Sequence, residues 1–104
     1  MEVKEDKRIY ISGAISGLDY GTAKAKFQNA ETRLLTQGWI DIANPMKCKI
    51  FKRHDEWSWQ MGACLMMLLR CEAIYMLRDW SESKGARIEH AVATELGIEI
   101  IYQL

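Results

Sequence analysis

The sequence predicts an α/β fold in which a doubly wound, four-stranded parallel sheet, with strand order 2-1-3-4, carries helices on both faces. Four short runs of apolar and β-branched residues alternate along the chain with three longer segments whose apolar residues recur every three or four positions. Such alternation is typical of parallel sheets covered by helices. Right-handed crossovers then give the order 2-1-3-4 and place strands one and three side by side.

The first half of the chain supplies two strands and one helix. RIYIS is rich in β-branched and aromatic residues, as buried strands are, and WIDIA repeats that pattern. Between them Ala23, Phe27, Ala30 and Leu34 recur at helical spacing, and Gly38 ends the helix. The predicted elements are a flexible tail (1–7), a strand (8–12), a glycine-rich loop (13–21), a helix (22–37), a strand (39–43) and a polar, irregular segment (46–55).

The second half completes a single domain that spans residues 8–104. Apolar residues at helical spacing indicate a helix, AIYML and IEIIY have the composition of buried strands, and Gly97 ends a further helix. The predicted elements are a helix (56–70), a strand (73–77), a loop that includes 79–84, a helix (85–97) and a strand (98–102).

Composition argues against several classes of function. The 104 residues include 14 basic and 14 acidic side chains, and because these charges cancel we expect neither a nucleic-acid polymer nor a membrane as a partner. No apolar run has the length of a membrane span, and the first residues lack the apolar core of a signal peptide, so the expected location is cytoplasmic. Three cysteines without a C-x-x-C pair indicate reduced structural thiols and predict no metal site and no cofactor.

Two glycine- and serine-rich loops mark a candidate ligand site. In flavodoxin- and Rossmann-like sheets, ligands bind beyond the carboxyl ends of the strands where the winding reverses, which here lies between the loops after strands one and three. The first loop offers backbone amides at Gly13 and Gly17 and hydroxyls at Ser12 and Ser16, and in the second an S-K-G-A run begins a helix at Ser83. Both loops can bind an anion, although the same residues also form ordinary turns and helix caps.

The helix after the second loop carries a carboxylate on its apolar face. On a helical wheel, Glu89 falls in the middle of a stripe formed by Ile88, Val92, Ala93 and Leu96. Because helical side chains lean toward the N-terminus, Glu89 is predicted to reach the crevice between strands one and three. A dipole-stabilised acid or a buried ion pair would also put a carboxylate here. Since an unpaired buried carboxylate is costly and the dipole does not require the inward face, we favour a functional Glu89.

Four motifs, in this order and spacing, resemble those of the nucleoside 2-deoxyribosyltransferase-like superfamily, within a small bacterial and phage branch. They extend over nearly the whole chain and are Y-I-S-G-x-x-S-G from Tyr10, N-P at Asn44, L-x-x-L-x-x-C-x-A-I-Y-x-L from Leu65, and W-x-x-S-x-G-A-x-x-E from Trp80 to Glu89.

The resemblance implies a reaction and roles for individual residues. In the superfamily the glutamate of G-x-x-x-E attacks C1′ of a 2′-deoxynucleoside or its 5′-monophosphate, for hydrolysis or transfer through a covalent glycosyl-glutamate, which assigns the nucleophile to Glu89 and its support to Tyr10. The S-x-G motif implies phosphate binding at Ser83 and Gly85, and the first loop implies closure over the sugar phosphate. The predicted substrate-binding residues are Gly13, Ser16, Gly17, Asn44, Asp79, Trp80, Ser83 and Gly85.

The chain departs from the superfamily pattern at two places. Cys71-Glu72 stands where relatives have C-D. Relatives also have an aspartate that holds the sugar hydroxyls, and in this chain Asp79 is the nearest candidate for that position and Glu82 the next. These departures leave two other classes of function open. One is a non-catalytic nucleotide-binding or sensor module, and the other is an interaction protein with a vestigial crevice.

Surplus apolar residues on the second helix predict self-association. GACLMMLL (62–69) is apolar almost all round, so Met66, Met67 and Leu69 are expected to form an exposed patch and the protein to be a homodimer or a higher homo-oligomer. Relatives in the superfamily also assemble.

The sequence also predicts whether two tryptophans, both histidines and one basic run lie in the core, in a loop or at the surface. Trp57 begins an apolar stripe and is expected in the core, whereas Trp80 lies in the second loop and is the better candidate for stacking on a base. His54 and His90 are expected at the surface, and the basic run 47–54 as a solvated loop.

Overall fold

The computed structural model describes residues 3–49 and 56–104, and its sheet has the predicted topology. Four parallel strands are hydrogen-bonded in the order β2-β1-β3-β4. The strands are β1 (Lys4–Ser12), β2 (Trp39–Ala43), β3 (Ala73–Met76) and β4 (Glu99–Tyr102). The helices in the described ranges are α1 (Tyr20–Thr36), α2 (Trp57–Leu68) and α3 (Lys84–Leu96). The predicted fold class is therefore confirmed.

Helices cover both faces of the sheet because successive strand residues point to opposite sides. Ile9 and Ile11 of β1 pack in a core cluster that contains Phe27 of α1. Tyr10, between them in sequence, packs on the other side in a cluster that contains Leu68 of α2 and Ala93 of α3. The two central strands are thus buried on both faces, and α2 and α3 share one of these faces.

The strand β1 begins earlier than predicted. The sequence indicates a flexible tail over 1–7, but residues 4–7 belong to β1, where the Lys4 amide donates to the Gly38 carbonyl at 2.9 Å. The Lys4 ammonium also lies 5.4 Å from the centre of the Trp39 ring. The side chains of residues 4–7 are charged and mostly exposed, so the sequence lacks the apolar pattern of a strand there. The backbone of Lys4 nevertheless pairs with β2. Residues 1 and 2 of the predicted tail lie outside the described residues.

The other boundaries lie within a few residues of the predicted ones, and caps explain the differences. Asp19 accepts a hydrogen bond from the Thr22 amide, so α1 begins at Tyr20, and Ser83 caps α3 in the same way. Gly97, with φ of +72°, ends α3 in the left-handed conformation that favours glycine. A short 3₁₀ turn, Pro45–Lys47, lies in the segment predicted as irregular. His54 and part of the basic run 47–54 lie outside the described residues.

The surface of α2 is unusually apolar. Met66 and Leu69 are 60 % and 57 % exposed, as expected, whereas Met67 is half-buried against the core cluster of α2 and α3. Trp59 adds a further exposed aromatic side chain. Even so, within residues 3–49 and 56–104 no helix combines the length and apolar character needed to cross a bilayer.

Candidate functional site

Glu89 lies inside the protein beside the carboxyl end of β1. Its side chain is 4 % exposed and belongs to the buried stripe of α3 with Ala86 and Ala93. Two hydroxyls hold its two oxygens: the Tyr10 hydroxyl donates to Oε2 at 2.6 Å, and the Ser12 hydroxyl donates to Oε1 at 2.7 Å. No salt bridge between described residues includes Glu89. The carboxylate is therefore supported there by neutral donors rather than by a cation.

Tyr10 and Ser12 reach the same carboxylate because they are two residues apart on β1 and so share one face of the sheet. The predicted hydrogen bond between Tyr10 and Glu89 is present. The sequence suggests the Ser12 hydroxyl as a donor to a bound anion, but that hydroxyl donates to Glu89 instead. The period-two spacing from Tyr10 is the sequence signal that would have placed Ser12 beside Glu89.

Burial is the main influence on the pKa values of Glu89, Tyr10 and Cys64. It raises the pKa of Glu89 from 4.5 to about 7, against the lowering effect of the bonds from Tyr10 and Ser12. Burial, followed by the nearby charge of Glu89, raises the pKa of Tyr10 well above 10. Burial also raises the pKa of the Cys64 thiol, which lies beside Tyr10, to about 12. Near neutral pH, Glu89 is thus the member of this group that titrates.

Glu89 lines a cavity of about 130 Å³ between the first loop, α2 and the start of α3. An adjoining cavity of about 290 Å³ shares Ile15, Ser16 and Gln60 with it. Each alone is below the range of about 300–1,000 Å³ that is usual for ligand pockets, so a nucleotide-sized ligand would need both. The residues that line the Glu89 cavity are Gly13, Ile15, Ser16, Trp57, Gln60, Met61, Cys64, Glu82, Ser83, Lys84, Gly85, Ala86 and Glu89.

Two of the predicted glycines line this cavity and are restricted by their neighbours. A Cβ atom on Gly13 would lie 2.7 Å from Leu77 Cδ1, a distance that real side chains do not adopt. A Cβ on Gly85 would lie 3.2 Å from the sulfur of Met61, which is tight but less severe. Gly17, with φ of +86°, lines only the adjoining cavity, so the structure separates it from Glu89.

The start of α3, which lines the cavity, has features of an anion site. The Ser83 hydroxyl accepts from the Ala86 amide at 3.2 Å, and the Ser83 carbonyl accepts from the Arg87 amide at 2.9 Å. Helix starts leave their first amides for other partners, here those of Lys84 and Gly85. The Lys84 ammonium adds a positive charge there, 5.1 Å from the centre of the Trp57 ring.

Trp57 is not a core residue, contrary to the expectation from its apolar stripe. Its side chain is 38 % exposed and lines the cavity beside Lys84. Trp57 is the first residue of α2, and the buried residues of this helix, Cys64 and Leu68, lie in its later turns. Trp57, rather than Trp80, is therefore the indole that lines the cavity.

Asp79 does not line the cavity, although the sequence makes it the nearest candidate for contact with the sugar. Its carboxylate accepts from the Ala14 amide at 3.1 Å and forms an ion pair with Lys26, whose ammonium also donates to the Ala14 carbonyl at 2.6 Å. These bonds join the first loop, α1 and the loop after β3. Of the two acidic candidates, Glu82 is the one that lines the cavity.

Asn44 and Trp80 are also engaged away from the cavity. The Asn44 amide group donates to Glu31 at 3.1 Å, and its oxygen accepts from the Met46 amide at 3.0 Å, so it caps the turn that follows β2. Trp80 stacks on His90 with ring centres 4.2 Å apart. His90, expected at the surface, is half-buried by this contact. The prediction that Asn44 and Trp80 line the substrate site is not supported by these positions.

Comparison with known proteins identifies a family. The family described as a domain of unknown function, DUF4406, matches residues 7–102, a range that includes Tyr10, Ser12 and Glu89. No curated protein and no solved structure matches the chain.

Proposed function

The chain belongs to the DUF4406 family, and from its site we propose that it cleaves or transfers the N-glycosidic bond of a 2′-deoxynucleoside or its 5′-monophosphate. The observation that carries the proposal is Glu89, a buried carboxylate that two hydroxyls hold at the edge of a cavity. The site lies at the carboxyl ends of β1 and β3, where the winding of the sheet reverses and ligands usually bind. The resemblance to the nucleoside 2-deoxyribosyltransferase-like superfamily assigns the nucleophile to the same residue.

In the proposed reaction Glu89 acts as a nucleophile through one carboxylate oxygen. That oxygen attacks C1′, the bond from C1′ to the base nitrogen breaks, and its electron pair leaves with the base, which takes a proton from solvent. The product is an ester between the sugar and Glu89. Water then attacks C1′ and releases the sugar, or a second base attacks and is transferred, and in either case the carboxylate is restored.

The start of α3 supports a phosphorylated substrate. Ser83, Lys84 and Gly85 line the Glu89 cavity at the start of α3, where the backbone amides of a helix start favour an anion. The Lys84 ammonium adds a compensating charge. This arrangement suits a 5′-monophosphate whose sugar points toward Glu89.

A test of turnover uses a panel of 2′-deoxynucleosides and 5′-monophosphates, with release of free base as the readout. We expect the wild-type protein to release base, Glu89→Gln to release none, and Glu95→Gln to resemble the wild type, because Glu95 is an exposed carboxylate on the same helix. Mass spectrometry of wild-type protein quenched during turnover should find a sugar adduct on the peptide that contains Glu89. Absence of base release across the panel contradicts the proposal.

A specific observation favours a second candidate, a nucleotide-binding or sensor module without turnover. Asp79 is held by Ala14 and Lys26, so the aspartate expected to hold the sugar hydroxyls does not reach the site. A nucleotide that raises the melting temperature without releasing base would support this candidate. If no nucleotide changes the melting temperature, the third class, an interaction protein with a vestigial crevice, is favoured over both.

The proposal includes assembly into a homodimer or a higher homo-oligomer in the cytoplasm. The exposed side chains of Trp59 and Met66 border an apolar groove on α2 of about 650 Å³, and Leu69 lies close by in sequence, one residue beyond the helix end. Contiguous apolar surface of this kind usually marks an interface. The free cysteines, two of them buried, suit a reducing compartment.

A further inference from the structure

Ser12 makes the second hydrogen bond to Glu89, and the resemblance gives this residue of the first motif no role in the reaction. We propose that Ser12 is a positioning residue for the Glu89 nucleophile: it fixes the plane of the carboxylate and stabilises its ionised form. The inference rests on the proposed function only in calling Glu89 a nucleophile.

Two donors on different oxygens are required to fix the plane of this carboxylate. The last torsion of a glutamate side chain has a broad, two-fold energy profile. A carboxylate that is held by one hydrogen bond can therefore still rotate about this torsion. Tyr10 holds Oε2 and Ser12 holds Oε1, at 2.6 and 2.7 Å. With both bonds present, each oxygen has a defined direction toward the cavity.

Ser12 is itself held in place, so its hydroxyl is a preorganised donor. Its side chain is 1 % exposed, and its carbonyl accepts from the Leu77 amide at 2.8 Å, which extends the pairing of β1 with β3. The next residue, Gly13, packs directly on Leu77. A hydroxyl that needs no rearrangement to donate gives its full stabilisation to the charged form of its partner.

Because Glu89 is buried among groups that stay neutral, the hydrogen bond from Ser12 matters for the ionised form of Glu89. The titratable groups that face it are Tyr10 from β1 and Cys64 from α2, and both stay protonated near neutral pH because burial raises the pKa of each. The charged groups that line the same cavity, Lys84 and Glu82, have opposite signs. Burial raises the pKa of Glu89, and the two hydroxyl bonds oppose that effect. Without Ser12, burial is opposed by Tyr10 alone.

The test compares Ser12→Ala with Leu34→Val. Alanine removes the donor and is smaller than serine, so it fits the site, whereas Leu34 is a core residue on the α1 face of the sheet and controls for a general loss of stability. The ionisation of Glu89 is followed by the ¹³C shift of its carboxyl carbon, assigned with Glu89→Gln. Base release is measured over the same pH range.

We expect the midpoint of the Glu89 titration to rise by about one pH unit in Ser12→Ala, because a hydrogen bond to a charged group is lost, and to stay unchanged in Leu34→Val. The acid limb of base release should move by the same amount. An unchanged carbon midpoint in Ser12→Ala overturns the inference whether or not the protein releases base. If the midpoint shifts in Ser12→Ala but the wild-type protein releases no base, the coupling of Ser12 to Glu89 is supported and the proposed function is overturned.

Discussion

Replacing Glu89 by glutamine should make the protein more stable above neutral pH. Glutamine has the same shape and can keep both contacts, because each hydroxyl can donate to the amide oxygen or accept from the amide nitrogen. The change therefore removes the ionisable group with little change in packing. A residue retained for activity at the expense of stability is expected to behave in this way.

The expected gain in the free energy of unfolding follows from the pKa of Glu89, which burial raises from 4.5 to about 7. As pH rises, the unfolded chain loses this proton first, so its ionisation favours unfolding from about pH 4.5 upward. The penalty grows until the folded carboxyl ionises near pH 7 and is constant above that. At about 1.4 kcal/mol per pH unit, the wild type should lose roughly 2.5 kcal/mol relative to Glu89→Gln between pH 5 and pH 8.

Urea unfolding at pH 5, 6, 7 and 8, followed by circular dichroism, measures this difference directly. Glu95→Gln is the matched control, because Glu95 is an exposed carboxylate on the same helix. The free energy of unfolding of Glu95→Gln should have the same pH dependence as that of the wild type. Equal pH dependence of Glu89→Gln and the wild type would refute the reasoning. A loss of roughly 3–5 kcal/mol in Glu89→Gln at pH 8 would instead identify Glu89 as a structural ion.

Three further predictions concern the loops and the surface. Gly13→Ala should lower the free energy of unfolding by about 1–3 kcal/mol in urea titrations, because its Cβ would lie 2.7 Å from Leu77 Cδ1; an unchanged midpoint would contradict the packing. Crystals soaked with phosphate or sulfate should show the anion within hydrogen-bond reach of backbone amides at the start of α3, beside Ser83, and density elsewhere with none there would contradict the cavity assignment. Sedimentation at micromolar concentration should find an oligomer that Met66→Glu or Leu69→Lys converts to monomer, and a monomeric wild type would rule the interface out.

The fold is predictable from the sequence because burial leaves a periodic pattern. The central strands are apolar on both faces, and the apolar residues of the helices recur every three or four positions, so the order and type of these elements are visible in the sequence. The early part of β1 is not, since residues 4–7 are charged and mostly exposed, and Lys4 joins the sheet through its backbone. Glycine and proline signals fix the ends of elements only to within a few residues.

The site was predictable where a side chain conflicts with its local pattern, and less so elsewhere. Glu89 interrupts an apolar stripe, and burial of a charge there needs a reason. Position in loops or motif predicts Asp79, Asn44 and Trp80 at the site, but each contacts a side chain of a helix instead: Lys26, Glu31 and His90 respectively. Asp79, for example, is drawn to Lys26, 53 residues away, and no periodicity encodes such a partner.

The bonds among Lys26, Asp79 and Ala14 have a consequence for how the pocket could be remodelled. They fasten the β1–α1 loop to α1 and to the loop after β3, so that wall of the cavity cannot swing open without breaking an ion pair. Elsewhere on the cavity wall the Lys84 ammonium lies over the Trp57 ring, a contact between two exposed side chains at the starts of α2 and α3. Attempts to redirect substrate preference should therefore randomise the α2 and α3 starts and leave the first loop untouched.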